Sequence, residues 1–249
     1  MNRSDVQQVA DDVFRVDGGI VNWYLLRDGR DLTLVDAGYP GNAGDVESSI
    51  RLLGHDPGDV RALLITHAHA DHIGAAGPLH ARYGTPALCS AAEVPHAHRQ
   101  FLEQVTPVQV LANAWRPGVL RWAVRAFRLG GTRAIAVPHA EPFPGAGPLD
   151  LPGRPLPVPT PGHTRGHSAF LLPAVGVVLT GDGLVTGHPT SWRQGPQLLP
   201  GFFDHDRAAT AAALAPLAQL DAEVVLPGHG EPWRGPVGDA VATARSERE

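Results

Sequence analysis

The chain has 249 residues, 43% of them hydrophobic, and its net charge of −5 is spread along the sequence rather than gathered in blocks. That is enough apolar material for a sizeable core in one large domain, and it excludes a disordered or fibrous protein. With no basic block or basic amphipathic segment to point to nucleic acid or a membrane, no run long enough to span a bilayer and no export signal, a soluble cytoplasmic protein is expected.

Residues 11–19, 20–29 and 30–41 read as short strands rich in β-branched and aromatic residues and separated by tight turns, so the chain opens as a β-meander. Val46, Ile50 and Leu53 lie at helical spacing over 45–53, and a strand over 60–66 follows. A helix over 73–84, bent or restarted at Pro78, precedes a strand at 85–90. Residues 91–128 read as an inserted helical pair that forms a lid, with Trp115 and Trp122 as packing residues and Arg116, Arg121, Arg125 and Arg128 on a solvated face. Further β-runs follow at 155–160, 168–173, 175–182 and 223–230, with a helix over 206–220 N-capped by Asp206. Strands followed by helices in each half fit a single domain over 1–249 with the architecture of a four-layer αββα sandwich.

Cys89 is the only cysteine, so any bound metal must be held by imidazole and carboxylate. The sequence THAHADHIG at 66–74 follows the apolar run ALLI. Leaving the end of a strand, His67 and His69 can point the same way as a chelating pair. Asp71 and His72 are too close to join that pair around one tetrahedral ion, but they are well placed for a second. Further donors lie on glycine-containing loops at the ends of β-runs: His163 in PTPGHTRGH, Asp182 in VGVVLTGD and His229 in LPGHG.

The ordered set HAHADH, GHT, GD and PGHG resembles the metallo-β-lactamase superfamily in its hydroxyacylglutathione-hydrolase-like (glyoxalase II-like) branch, over nearly the whole chain from Asp36 to His229. The resemblance implies two zinc ions, one held by His67, His69 and His163 and the other by Asp71, His72 and His229, with Asp182 bridging. It also implies that Asp36, in LTLVDAG, supports the ligands from behind. Hydrolysis by a metal-bound hydroxide is then expected, because metal lowers the pKa of bound water from about 15.7 to about 7. Asp71 is the candidate catalytic residue, orienting the nucleophile or passing a proton to the leaving group.

Departures from the relatives narrow the activity. An aspartate at the bridging position argues against an antibiotic-hydrolysing enzyme, and the twenty residues after His229 leave no room for a helical glutathione domain. Gly183, Leu184 and Val185 stand where acyl-homoserine-lactone lactonases carry a tyrosine. The expected activity is cleavage of an ester, thioester or lactone, with a mononuclear-iron oxygenase of the persulfide dioxygenase kind and a non-catalytic zinc-binding protein as alternatives. The expected partner is a small molecule with an apolar or acyl portion, taken into an apolar cleft beneath the lid. Neither nucleic acid nor membrane is expected, and a homodimer is compatible. His167 reads as structural or supporting, His188 as a residue of an active-site loop, and His96, His98, His139 and His205 as surface or lid residues.

Overall fold

Successive side chains of a strand face opposite sides of a sheet, and here both sides are apolar, so each sheet has to be covered on both faces. The computed structural model, which describes residues 1–246, meets that demand with two stacked sheets and helices outside each. The chain opens as an antiparallel meander of β1 (Val6–Ala10), β2 (Val13–Asp17), β3 (Asn22–Asp28) and β4 (Asp31–Val35). Helix α1 (Ala43–Leu52) leads to β5 (Val60–Leu64), α2 (Ala76–Tyr83) leads to β6 (Ala87–Cys89), and α3 (Val94–Ala97), α4 (Pro107–Ala112) and α5 (Val119–Arg128) lead to β7 (Ala140–Pro142). These strands form one sheet in sequence order, antiparallel up to β4 and parallel from β4 to β7.

The second half supplies β8 (Leu156–Pro159), β9 (Ser168–Leu172), β10 (Val177–Gly181), the ribbon of β11 (Val185–Gly187) and β12 (Gln194–Gln197), α6 (Arg207–Leu217), β13 (Val224–Pro227), β14 (Trp233–Arg234) and α7 (Val237–Ser246). The second sheet has the order β14-β13-β10-β9-β8.

Alternation along the strands sorts the core into layers. Tyr24 and Leu26 of β3 meet Phe170, Leu172, Leu179 and Leu226 between the sheets. Their neighbours Trp23 and Leu25 face the other way, onto Val46 and Ile50 of α1 and Leu79 of α2. Leu171, Val178 and Val225 likewise turn outward onto Leu214 and Leu217 of α6 and Val241 of α7. This is the expected αββα sandwich.

Several local expectations are corrected. Helix α2 runs through Pro78, which lies in its first turn where a missing N–H breaks no helical bond. The insertion is three short helices rather than a pair, and α5 packs only one face, with Trp122 and Ala126 against Ile20, Tyr39 and Phe203. Trp115 is not a packing residue: its side chain is 79% exposed. Nor does the insertion turn its apolar content into a cleft, since Val108, Leu111, Leu120, Val124 and Phe127 are all exposed.

Candidate metal centre

The chemistry-bearing side chains sit on the loops that follow strand ends, where the backbone is released from the ladder and can turn toward a common point. Asp36 follows β4, the 67–72 segment follows β5, His163 lies between β8 and β9, Asp182 follows β10 and His229 follows β13. Three overlapping groups of donor atoms converge: His67, His69 and His163; His67, His72 and Asp182; and Asp71, His72 and His229, each with its atoms within 4.8 Å of one another. All seven residues singled out in the sequence are therefore brought together.

The hydrogen bonds behind the imidazoles set which nitrogen faces inward. His67 Nδ1–H donates to Thr66 Oγ1 at 3.0 Å, His163 Nδ1–H to Asp204 Oδ1 at 3.1 Å, and His69 Nε2–H to the carbonyl of Glu103. The remaining nitrogens, His67 Nε2, His69 Nδ1 and His163 Nε2, then present lone pairs to one another, His69 Nδ1 lying 3.0 Å from the first and 3.1 Å from the second. His72 Nδ1–H donates to Asp36 Oδ2 at 2.8 Å and His229 Nδ1–H to the carbonyl of Ile20 at 2.6 Å, so their Nε2 atoms also turn inward. Asp182 lies between the two sets, with Oδ2 3.4 Å from His163 Nε2 and 3.2 Å from His229 Nε2, and Oδ1 3.4 Å from His72 Nε2. Asp71 Oδ2 is 3.5 Å from His229 Nε2.

Electrostatics divide the cluster. Burial pulls His67 and His69 well below the ordinary imidazole range, and neighbouring imidazoles add to the effect, so both are neutral. Burial acts the same way on His72 and His229, but the carboxylates of Asp182, Asp36 and Asp71 outweigh it and raise His72 well above that range, with Asp182 foremost in raising His229. Burial alone would raise Asp182, yet His229 and His72 hold it well below the usual carboxylate range. His72 Nε2 and Asp182 Oδ1 are fully buried without a hydrogen-bond partner, a cost that a folded protein retains only for a reason. Inward lone pairs, a charged carboxylate among them and unpartnered buried donors fit a divalent cation.

A supporting layer surrounds this centre, and most of it escaped the sequence reading. Glu93, fully buried, accepts from Ala68 N–H at 2.7 Å, from Thr164 Oγ1 at 2.8 Å and from His96 Nδ1–H at 2.8 Å, tying the 67–72 loop to the His163 loop. His96 is thus a buried member of this layer and not a surface residue. Asp36 was anticipated; it also accepts from Thr66 N–H at 2.9 Å. His167 is buried, its Nδ1–H donates to Thr160 Oγ1 at 2.7 Å, and its Nε2 accepts from Asp182 N–H at 3.1 Å, while burial pulls its pKa down to about 3. The residue before His229 has to be glycine: a Cβ on Gly228 would stand 2.3 Å from Asp182 Oδ1.

Beside the centre, a cavity of about 280 Å³ opens between His188, His229, Ile20, Arg15 and Gln194. Thr190 N–H donates to His188 Nδ1 at 3.2 Å, which leaves the proton of this buried, neutral ring on Nε2. Its ring lies 4.9 Å from that of His229 and 5.8 Å from that of Trp122. Tyr39 packs near Asp71, and burial, with the charges of Asp71 and Asp182, raises its hydroxyl well above the ordinary range.

A family model described as the metallo-beta-lactamase superfamily matches residues 16–229. A Bacillus subtilis protein named probable metallo-hydrolase YflN is 26% identical over 229 residues, 87% of this chain and 83% of its own. Metallo-beta-lactamase domain-containing protein 1 of Xenopus laevis is 28% identical over 92% of this chain and 77% of its own. Among solved structures, a metallo-beta-lactamase family protein of Thermus thermophilus superposes with a TM-score of 0.65 at 24% identity, covering 96% of this chain and 81% of that one. A Cronobacter sakazakii metallo-beta-lactamase gives 0.68 at 18% identity, covering 97% and 92%. At these identities the solved structures establish the fold alone.

Proposed function

The chain belongs to the metallo-β-lactamase superfamily, and from that premise we propose that it is a binuclear zinc hydrolase of the hydroxyacylglutathione-hydrolase-like branch, cleaving an ester, thioester or lactone bond. The observation that carries this reading is the convergence of five imidazoles, each with its N–H committed outward, around the carboxylate of Asp182. His67, His69 and His163 would hold one ion, Asp71, His72 and His229 the other, with Asp182 between them. Nitrogen and oxygen donors of this kind suit zinc. Bound there, the metal supplies a water-derived nucleophile at neutral pH and polarises the scissile carbonyl.

The chain's own groups do the rest. Asp71 is the least buried of the seven, with its side chain 16% accessible, so it can exchange a proton with the reacting groups and deliver it to the leaving oxygen or sulfur. His188 offers an Nε2–H beside the cavity and orients a carbonyl or carboxylate of the substrate. Ile20 and Val21 in the wall of that cavity meet the apolar portion, and residues 91–128 act as the lid beside it. In an Asp71→Asn protein that keeps both ions, turnover falls; full turnover refutes the proton-transfer role.

The deciding experiment measures metal per chain in protein purified without added metal, together with turnover of p-nitrophenyl ester, thioester and lactone substrates before and after chelation. Two zinc ions and chelator-sensitive hydrolysis support the reading. A single iron and no hydrolysis overturns it in favour of an oxygenase, because the same donors also suit iron.

A further inference from the structure

Isolated exposed apolar side chains are ordinary, but a contiguous group of them is not. Among the described residues, eight large hydrophobics are more than half exposed, and seven of them lie in one stretch: Leu102, Val108, Leu111, Trp115, Leu120, Val124 and Phe127. The eighth, Trp192 at 80% exposure, borders the same surface, because its loop passes against the start of α5: a Cβ on Gly118 would stand 2.0 Å from the carbonyl oxygen of Pro189. Helix α5 carries two apolar stripes. Val119, Trp122 and Ala126 face the protein, while Leu120, Val124 and Phe127, spaced i, i+4, i+7, face solvent.

A third stripe on the same helix is Arg121, Arg125 and Arg128, again at i, i+4, i+7. From Glu103 to Glu141 the chain has no intervening aspartate or glutamate, yet it has five arginines, the other two being Arg116 and Arg133. None of the five is in an ion pair among the described residues, although Arg15, Arg27, Arg30, Arg51, Arg61, Arg82 and Arg165 each have a carboxylate partner. Arg125 reaches back toward Gly19 and Arg116 lies over Phe202, so it is Arg121 and Arg128, both exposed, that make the outer face beside the apolar stripe positive in a protein of net charge −5.

We infer that the outer face of α4 and α5, with Trp115 and Trp192 at its rim, docks on the surface of a bilayer containing anionic phospholipids. An apolar stripe flanked by arginines is the pattern of a helix lying in the interface, with its alkyl and aromatic groups in the acyl boundary and its guanidinium groups among the phosphates. Charge complementarity selects this occupant over a second copy of the chain. A two-fold contact through this face sets the acid-free arginine stripe against itself. A nucleic acid would leave the aliphatic stripe of Val108, Leu111, Leu120 and Val124 against water. The inference does not depend on the hydrolase reading, and it runs against the expectation of no membrane contact, which rested on seeing no basic amphipathic segment and no run long enough to span a bilayer.

The test is co-sedimentation of the full chain with phosphatidylcholine vesicles, with and without roughly a third of phosphatidylglycerol, at low and high salt. Each arginine near an anionic surface multiplies partitioning by about fivefold, so Arg121→Gln with Arg128→Gln lowers binding to anionic vesicles about thirtyfold and leaves binding to neutral ones unchanged. Leu120→Ser with Phe127→Ser abolishes binding to both. High salt weakens the wild-type interaction as the Debye length shortens. The inference is overturned by absence of binding to anionic vesicles, by equal binding to neutral and anionic vesicles, or by a stable dimer in sedimentation that the same substitutions dissociate. If the serine variant fails to fold, the arginine variant and the salt dependence still decide.

Discussion

Glu93 is the sharpest probe of how the centre is held, because one carboxylate clamps two ligand loops without being a candidate ligand. Its Oε1 accepts from Ala68 N–H and His96 Nδ1–H, and its Oε2 from Thr164 Oγ1–H, all at 2.7–2.8 Å. Glu93→Gln keeps the shape and one acceptor oxygen, and Thr164 can rotate its hydroxyl to accept from the new amide. What is lost is charge assistance in three contacts, a difference of about 1 kcal/mol each, so urea unfolding of the metal-free protein shows destabilisation of about 2–3 kcal/mol. Glu93→Ala leaves two buried N–H donors unsatisfied and an empty site, and costs about 4–6 kcal/mol. On the proposed reading, loosening the loops also lowers metal affinity, by about 10- to 100-fold for a group behind the ligands, read with zinc by competition with a chromophoric chelator under conditions where the variant is folded. A Glu93→Gln protein with zinc affinity within about twofold of wild type and stability within about 0.5 kcal/mol, the usual scatter of surface substitutions, refutes the clamp.

The same carboxylate predicts an acid limb. Burial alone would raise Glu93, but His96, the Ala68 N–H and Thr164 hold it below the usual range, so its contribution is intact above the unfolded value of about 4.3 and is lost as pH falls through the lower folded value. Wild type therefore loses stability over that window, and Glu93→Gln does so less steeply; parallel acid-unfolding curves count against the assignment. Asp36→Asn is expected to keep the fold, since asparagine tolerates the left-handed backbone that Asp36 adopts at φ 59°. Its amide cannot accept from both Thr66 N–H and His72 Nδ1–H, so on the proposed binuclear reading metal content falls from two ions toward one; metal content equal to wild type refutes the orienting role. Gly228→Ala brings a methyl to 2.3 Å from Asp182 Oδ1 and displaces that carboxylate, with loss of metal in a protein whose circular dichroism is unchanged.

The division between what the sequence disclosed and what it withheld follows from range and period. His67, His69, Asp71 and His72 are legible because a strand end delivers them within six positions, and His163, Asp182 and His229 because each sits on a glycine loop that closes an apolar run. The supporting groups obey no such rule. Glu93 caps a four-residue helix and Glu103 and Asp204 lie in irregular chain, so nothing periodic marks them, and His96 belongs to that same four-residue helix, too short to show a buried face by spacing. Strands β7 and β14, of three and two residues, are too short to announce themselves, since they exist only as partners of β6 and β13. The lid shows the limit most clearly. Helical spacing says that α5 has an apolar face, but the helix has two, and only packing against Tyr39 and Phe203 decides that Trp122 turns in while Phe127, 67% exposed, turns out. A stripe that periodicity alone assigns to a substrate cleft thereby becomes an outer surface, and the arginines beside it change from a solvated margin into part of that surface.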